Sequence, residues 1–302
     1  LKDEHGSNNS NNDEQWKIYV AGGVEEFKSN DGGITYVPYD KLASLIDTTE
    51  FNTIVVSRYI SFMELYPNFK TSKLYICAHD TTLYGYGCNL TSEEIIKKWN
   101  KSITGCVCLT DWHKEVIINQ FSLLREKISV INNGINPHLI HDAYISEKQK
   151  HSFIYSSCAE RGLDRLLELW SDIKKKMPDA TLHICTYNPF PRNQSETHMK
   201  TIIDNDDSIT HYGRLATNEL YDLMAKCEYW LYPTCFTETS CITAMELMAH
   251  NVICLYYPIA GLVNTVSHFG TPVKFNTEID TLISIDSDEE KKQVIREKAK
   301  NY

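Results

Sequence analysis

EYWLYPTCFTETSCITAMELMAHNVICLYY, residues 228–257, reads as strand, loop, helix and strand. EYWLYPT and NVICLYY are apolar runs of strand length, while the residues between them pass from turn-like to helical spacing. Two buried strands joined through a helix make the crossover unit of a parallel sheet. In such sheets ligands sit at the carboxyl ends of the strands, so the loop CFTE is where a site would form. The pattern predicts a helix start near Ser240, with Glu238 just before it and Glu246 about a turn and a half inside. Free N–H groups and the macrodipole at a helix start favour an anion such as a diphosphate. A carboxylate in the approach loop projects into the cleft, and one inside the helix can chelate a vicinal diol such as a ribose. Taken alone, two glutamates at this spacing are more often a solvated helix residue and a first-turn partner of the dipole.

The same alternation runs along the chain. Strand-like WKIYVAGG, GITYVPY, FNTIVVSR, KLYICAHD, ITGCVCLT and KISVINNGIN alternate with helical patterns around 40–48, in TSEEIIKKWN and in DWHKEVIINQF. HSFIYSS, ATLHICTY and SITHYG then alternate with GLDRLLELWSDIKKKM and TNELYDLMAKC. Thr91 or Ser92 reads as the cap of one helix, and Thr217 with Glu219 suits the start of another. Two such runs flanking the polar stretch 137–150 predict an α/β protein of two Rossmann-like domains facing a cleft. The expected layout is a disordered lead over 1–15, an N-terminal domain over 16–145, a C-terminal domain over 150–285 and a final helix over 286–302. The polar opening, without an initiator Met, reads as an excerpt from something longer.

Lys and Arg number 30 against 40 Asp and Glu, a net charge of −10 that argues against a nucleic-acid footprint. The most basic run, IIKKWNKS, reads as a solvated helix face. No apolar run approaches the roughly 20 residues that span a bilayer. Ten cysteines sit singly in apolar runs without a CxxC pair, so buried free thiols and a reducing, cytoplasmic compartment are expected.

The stretch 232–266, YPTCFTETSCITAMELMAHNVICLYYPIAGLVNTV, resembles the signature of the retaining GT-B glycosyltransferases of the large family 4. There a strand ending in Pro-Ser/Thr leads to E-x7-E, a helix of small residues, a buried strand and a glycine turn. CAHD (77–80), VINNGIN (130–136), RGLDRLLELW (161–170) and HYGRLATNELYDLMAKCEYWLYPT (211–234) are similar to that family's other motifs, in the same order. The resemblance implies a GT-B fold and a metal-independent enzyme without a separate cofactor. Its co-substrate would be a nucleotide-sugar, UDP- or GDP-linked, and its acceptor a hydroxyl of a glycan, protein or small molecule. Carried over residue by residue, Glu246 would bind the ribose, Glu238 would hold the donor sugar, and His79 would contact that sugar across the cleft. The backbone of Thr239, Ser240, Cys241 and Ile242 would meet sugar and phosphates. Arg161 would stand at the position of the family's phosphate-binding lysine, and Gly213 and Arg214 near the base.

The chain departs from the family in three places. YSS (155–157) stands where an arginine is frequent, leaving Arg192 or Arg214 to replace it, and TSC follows the first glutamate in place of smaller residues. VAGGVEEFKSNDGGITYV has no long helix behind its glycines, so Gly22–Gly23 reads as a turn and the N-terminal domain as lacking its first strand–helix unit. The DND at 204–206 and DSD at 286–288 look like the metal motif of another glycosyltransferase fold but read as solvated turns. His183 reads as a core or edge residue, and His113 and His250 as surface or capping residues. Two rival functions stand beside sugar transfer. One is a non-catalytic nucleotide-sugar-binding or scaffold module, favoured by the missing unit and arginine. The other is a nucleotide-sugar enzyme such as an epimerase, which would need further acid/base residues in the cleft.

Overall fold

Apolar runs of four to eight residues become parallel strands here, and the amphipathic runs between them become the helices that cover the sheets. The computed structural model describes residues 16–25, 28–29, 33–136, 140, 147–187, 189–267 and 269–299. The lead expected over 1–15 and most of the polar stretch 137–150 lie outside the described residues.

A small sheet comes first, with β1 (Ile18–Gly22), β2 (Lys28–Ser29) and β3 (Ile34–Pro38) in the order β1-β3-β2. After α1 (Tyr39–Thr48), β4 (Glu50–Ser57) and α2 (Phe62–Leu65) lead to β5 (Lys70–Cys77) and α3 (Ser92–Trp99). Next come β6 (Ile103–Cys108), α4 (Asp111–Gln120) and β7 (Ile128–Val130). Strands β4, β5, β6 and β7 lie side by side in chain order, all parallel, over a core that includes Val56, Leu74, Ile76, Ile95 and Ile117.

The second half opens with β8 (Ser152–Ser156), α5 (Leu163–Lys176), β9 (Thr181–Cys185), α6 (Gln194–Asp204) and β10 (Ile209–Gly213). It continues through α7 (Thr217–Lys226), β11 (Tyr229–Tyr232), α8 (Ile242–Ala249) and β12 (Ile253–Tyr256). Last are α9 (Leu262–Val266), β13 (Thr271–Pro272), α10 (Glu278–Asp286) and α11 (Glu289–Ala299). All six strands are parallel, in the order β10-β9-β8-β11-β12-β13. The chain builds outward from β8 in one direction, then returns to build from β11 in the other. That reversal is the topological switch point of a doubly wound sheet, and crevices form at the carboxyl ends of the two strands beside it. Strands β11 and β12 are buried at every residue, as central strands covered on both faces must be. The α/β fold with parallel sheets expected from the alternation is the one observed.

Several local readings change. Helix α8 starts at Ile242, two residues past Ser240, because Cys241 keeps an extended backbone (φ −110°, ψ 94°). The cap of α7 is Ala216, whose N–H donates to the Glu219 carboxylate at 3.0 Å, while Thr217 is already helical. His113 is fully buried, accepting from the Leu109 N–H at Nδ1 and bonding the Asp80 carbonyl through Nε2, so it is no surface residue. His250 is buried too, although it does end α8, with Nδ1 2.7 Å from the Glu246 carbonyl. Asp286 does not lie in a solvated turn: it closes α10, accepts from the Tyr229 hydroxyl at 2.8 Å and sits 3.1 Å from His151 Nε2. All ten cysteines are free and most are buried, Cys235 being exposed. Among the described residues no helix is long and apolar enough to cross a membrane.

Candidate functional site

The loops leaving β8 and β11, residues 157–162 and 233–241, meet at the switch point. Two glycines let them close. Gly162 caps α5 at φ 101°, ψ 14°, a left-handed conformation, and a Cβ there would stand 2.9 Å from both the Pro233 carbonyl oxygen and Thr234 Cα. Gly261, before α9, donates its N–H to the Glu238 carbonyl at 2.8 Å, and a Cβ would stand 2.3 Å from the Thr239 carbonyl oxygen. Any side chain at either place would push the second loop away.

This closure brings Arg161 to Glu238. The guanidinium donates from Nη1 to Glu238 Oε1 at 3.1 Å and lies over the Phe236 ring, 4.0 Å from its centroid. Glu238 is 6% exposed, and its Oε1 also accepts from the Tyr232 hydroxyl at 2.9 Å. Burial opposes the charge on Arg161, but the Glu238 carboxylate and the hydroxyls of Tyr187 and Tyr232 outweigh it and hold its pKa above the usual value. The guanidinium Nε is buried without a hydrogen-bond partner, and so is Ser240 Oγ in the facing loop. Unpartnered buried polar atoms are rare in native structures.

Helix α8 starts at the same crevice with Cys241 as its cap and no side-chain capping bond. Burial, reinforced by Glu238, pushes the Cys241 thiol up to about 12, so it stays protonated. One turn in, Glu246 is half-buried and accepts from the Tyr221 hydroxyl at 2.7 Å. Burial raises its pKa, with the Tyr221 hydrogen bond working against the rise.

The other wall comes from the N-terminal domain. His79 follows β5; its Nε2 lies 3.0 Å from Ser57 Oγ, and its carbonyl accepts from Thr239 Oγ1 at 2.8 Å. Burial and then the Arg58 charge lower the His79 pKa, favouring the neutral ring. Thr110, the cap of α4, donates to the Thr239 carbonyl at 2.9 Å, and Trp112 N–H donates to Asn264 at 3.2 Å. Thr239 thereby ties the site loop to both flanking loops of the opposite sheet.

Of the candidate residues, the structure brings together Arg161, Glu238, Thr239, Ser240, Cys241 and Ile242, with His79 joined through Thr239. Glu246 lies deeper along α8. Gly213 closes β10 at φ 68°, its carbonyl accepting from the Thr186 N–H at 3.0 Å. Arg214 beside it is exposed and forms no ion pair among the described residues. Arg192 is engaged elsewhere, its Nη2 2.6 Å from Glu196 and also paired with Glu160, so it is not a spare cation for the crevice. Tyr232 and Tyr221 escape the sequence reading. Tyr232 and Tyr221 each fall in an apolar run where a tyrosine reads as core. A site with a cation, free helix N–H groups and two carboxylates can hold an anion next to a polyhydroxyl group.

Residues 140–302, a little over half of the chain, match the family model described as Glycosyl transferases group 1. Comparison with curated proteins returns no match. Among solved structures the chain is similar to sucrose-phosphate synthase from Thermosynechococcus elongatus, with TM-score 0.69, 13% identity, and 95% of this chain and 84% of that chain covered. It is similar to HepE of Anabaena in complex with UDP and glucose, with TM-score 0.67, 14% identity, and 89% and 81% covered. Similarity also extends to TarM, with TM-score 0.63, 16% identity, and 82% of this chain and 50% of that chain covered. The chain thus spans about half the length of TarM. Likeness at these identities concerns the fold.

Proposed function

The chain belongs to the group 1 glycosyl transferases, and on that premise we propose that it moves a sugar from a nucleotide-diphosphate-sugar to a hydroxyl acceptor, with retention of configuration and without a metal. The supporting observation is the switch point, where Arg161 on the loop after β8 pairs with Glu238 on the loop that leads past the buried Ser240 hydroxyl into the start of α8. Arg161 and the helix start stabilise the departing diphosphate as negative charge develops on it. The bond from the anomeric carbon to the phosphate oxygen breaks, and the bond to the acceptor oxygen forms on the same face. The leaving phosphate takes the acceptor's proton. Glu246 accepts from the ribose hydroxyls, and Glu238 and His79 border the sugar. UDP-sugars are the first donors to test, because the HepE structure similar to this chain holds UDP and glucose.

The deciding experiment is isothermal titration of UDP, GDP and their glucose conjugates, followed by a transfer assay with and without EDTA. Binding of one nucleotide diphosphate, and transfer that persists in EDTA, is the expected result. Binding without transfer to any acceptor would support the scaffold reading instead. Transfer abolished by EDTA and restored by Mn²⁺ would overturn the metal-independent mechanism.

A further inference from the structure

TTLYGYGCNL, residues 81–90, takes no part in the crevice described above, yet it builds a surface of its own. Tyr84 and Tyr86 stack with ring centroids 5.0 Å apart and planes 14° from parallel. Tyr59, on the loop after β4, leans on both at 6.3 and 6.2 Å. Tyr59 is 48% exposed and Tyr86 64%, although Ile60 and Leu83 beside them are fully committed to the core. Single exposed aromatics are ordinary, whereas two exposed rings packed on a half-buried third make a contiguous aromatic surface, a feature associated with binding sites.

The patch is rigidly built. Tyr59 and Tyr84 form a parallel bridge, Ile60 N–H donates to the Tyr84 carbonyl at 2.9 Å, and Ser92 Oγ donates to the Leu83 carbonyl at 2.6 Å. A Cβ on Gly85 would lie 2.8 Å from the Ile95 Cδ1 methyl, which would have to shift, and Gly87 takes a left-handed φ of 80°. Between them Tyr86 is turned outward. Arg58 and Asp80 pair at 3.2 Å, and both charges act on the Tyr84 hydroxyl, so a polar pair borders the rings. The patch sits at the carboxyl edge of the β4–β7 sheet, next to His79, whose carbonyl holds the donor-side Thr239.

We propose that Tyr59, Tyr84 and Tyr86 form a platform that receives the acceptor as a pyranose, its C–H face against the rings and its hydroxyls toward Arg58 and Asp80. The inference rests on the sugar-transfer reading and names its acceptor class. A pyranose has one apolar face and a rim of hydroxyls, which matches a flat aromatic wall with an ion pair at its border.

The test is saturation-transfer NMR of methyl α-glucopyranoside, methyl α-mannopyranoside and methyl α-galactopyranoside on the UDP-loaded protein. At least one should receive saturation through the C–H protons of a single ring face. Tyr86→Ala and Tyr59→Ala should each weaken that glycoside by about fivefold, while Tyr39→Ala, which removes an equally exposed tyrosine on α1, changes nothing. UDP affinity, measured on the same samples, should be unaltered in all three variants. Binding of UDP with no glycoside contact, or glycoside binding indifferent to Tyr86 and Tyr59, overturns the platform while leaving sugar transfer standing. Failure of UDP to bind the wild type would instead sink the reading on which it rests.

Discussion

Replacing Gly162 with alanine tests whether the two switch-point loops touch as described. Two costs add at this position. The left-handed backbone, φ 101°, penalises any residue with a Cβ by about 1–2 kcal/mol. The added methyl also meets the Pro233 carbonyl oxygen and Thr234 Cα at 2.9 Å, and both are backbone atoms that cannot rotate away. Overpacking of that kind costs about 1–3 kcal/mol, so Gly162→Ala should lose about 2–5 kcal/mol in total. Gly213 isolates the first cost, because its φ is 68° and nothing lies within 4 Å of where a Cβ would stand. Gly213→Ala should therefore lose only about 1–2 kcal/mol. Gly134 carries neither burden, with open space and no left-handed φ, and Gly134→Ala should be neutral or slightly stabilising.

Thermal unfolding of the three variants supplies the measurement. At about 2–4 °C per kcal/mol for a domain of this size, Gly162→Ala should melt well below Gly213→Ala, and Gly134→Ala with the wild type. UDP titration gives the functional half: Gly162→Ala should bind UDP more weakly, because the displaced loop carries Glu238, Thr239 and Ser240. Equal melting temperatures for Gly162→Ala and Gly213→Ala would refute the close approach, and with it the account of how the crevice is held.

Three further outcomes follow from the same geometry. Arg161→Met leaves Glu238 buried with Tyr232 alone; since the pair is 26% and 8% exposed, the loss should be about 1–3 kcal/mol, below that of a fully buried pair, and UDP binding should fall. Glu238→Gln should strengthen UDP binding a few-fold while slowing sugar transfer, because Arg161 no longer has a carboxylate to leave; weaker UDP binding would contradict that competition. Burial raises the Glu246 pKa above 4.5, so its proton stabilises the native state below 4.5 and that contribution is lost as pH rises through the raised value. Glu246→Gln should therefore be more stable than wild type at neutral pH and lose that advantage in acid, as urea midpoints across pH would record.

What can be read from the sequence follows the range of the interactions involved. Strand and helix identity rests on periodicities within a dozen residues, and β11, α8 and β12 appear where EYWLYPT, ITAMELMA and NVICLYY place them. The start of α8 falls within two residues of Ser240, but the contacts that hold the loop before it come from outside: the Gly261 N–H on the Glu238 carbonyl, and Thr239 tied to His79 and Thr110. His113 reads as a surface residue because its partners are backbone groups, the Asp80 carbonyl lying on a different strand's loop. The two DxD-like stretches separate on the same principle. Asp204 pairs with Lys200 one turn back on its own helix, whereas Asp286 faces His151 and Tyr229, both far away in sequence.

The deepest gap concerns the site's electrostatics. Arg161 and Glu238 read from the sequence as independent groups, one for phosphate and one for sugar, because 77 positions separate them. In the folded chain they neutralise each other, with Tyr232 fixing the carboxylate from behind. On the sugar-transfer proposal, a diphosphate at the guanidinium would have to compete with Glu238, and the carboxylate it displaced would be free to meet sugar hydroxyls. On that proposal, occupation of the phosphate position and release of the carboxylate would be one event. Such coupling would need only a change of partner by one arginine, which makes the pair more informative than either residue mutated alone. In a double-mutant cycle, Arg161→Met and Glu238→Gln should be strongly non-additive for UDP binding, since relief of competition has no meaning once the guanidinium is gone.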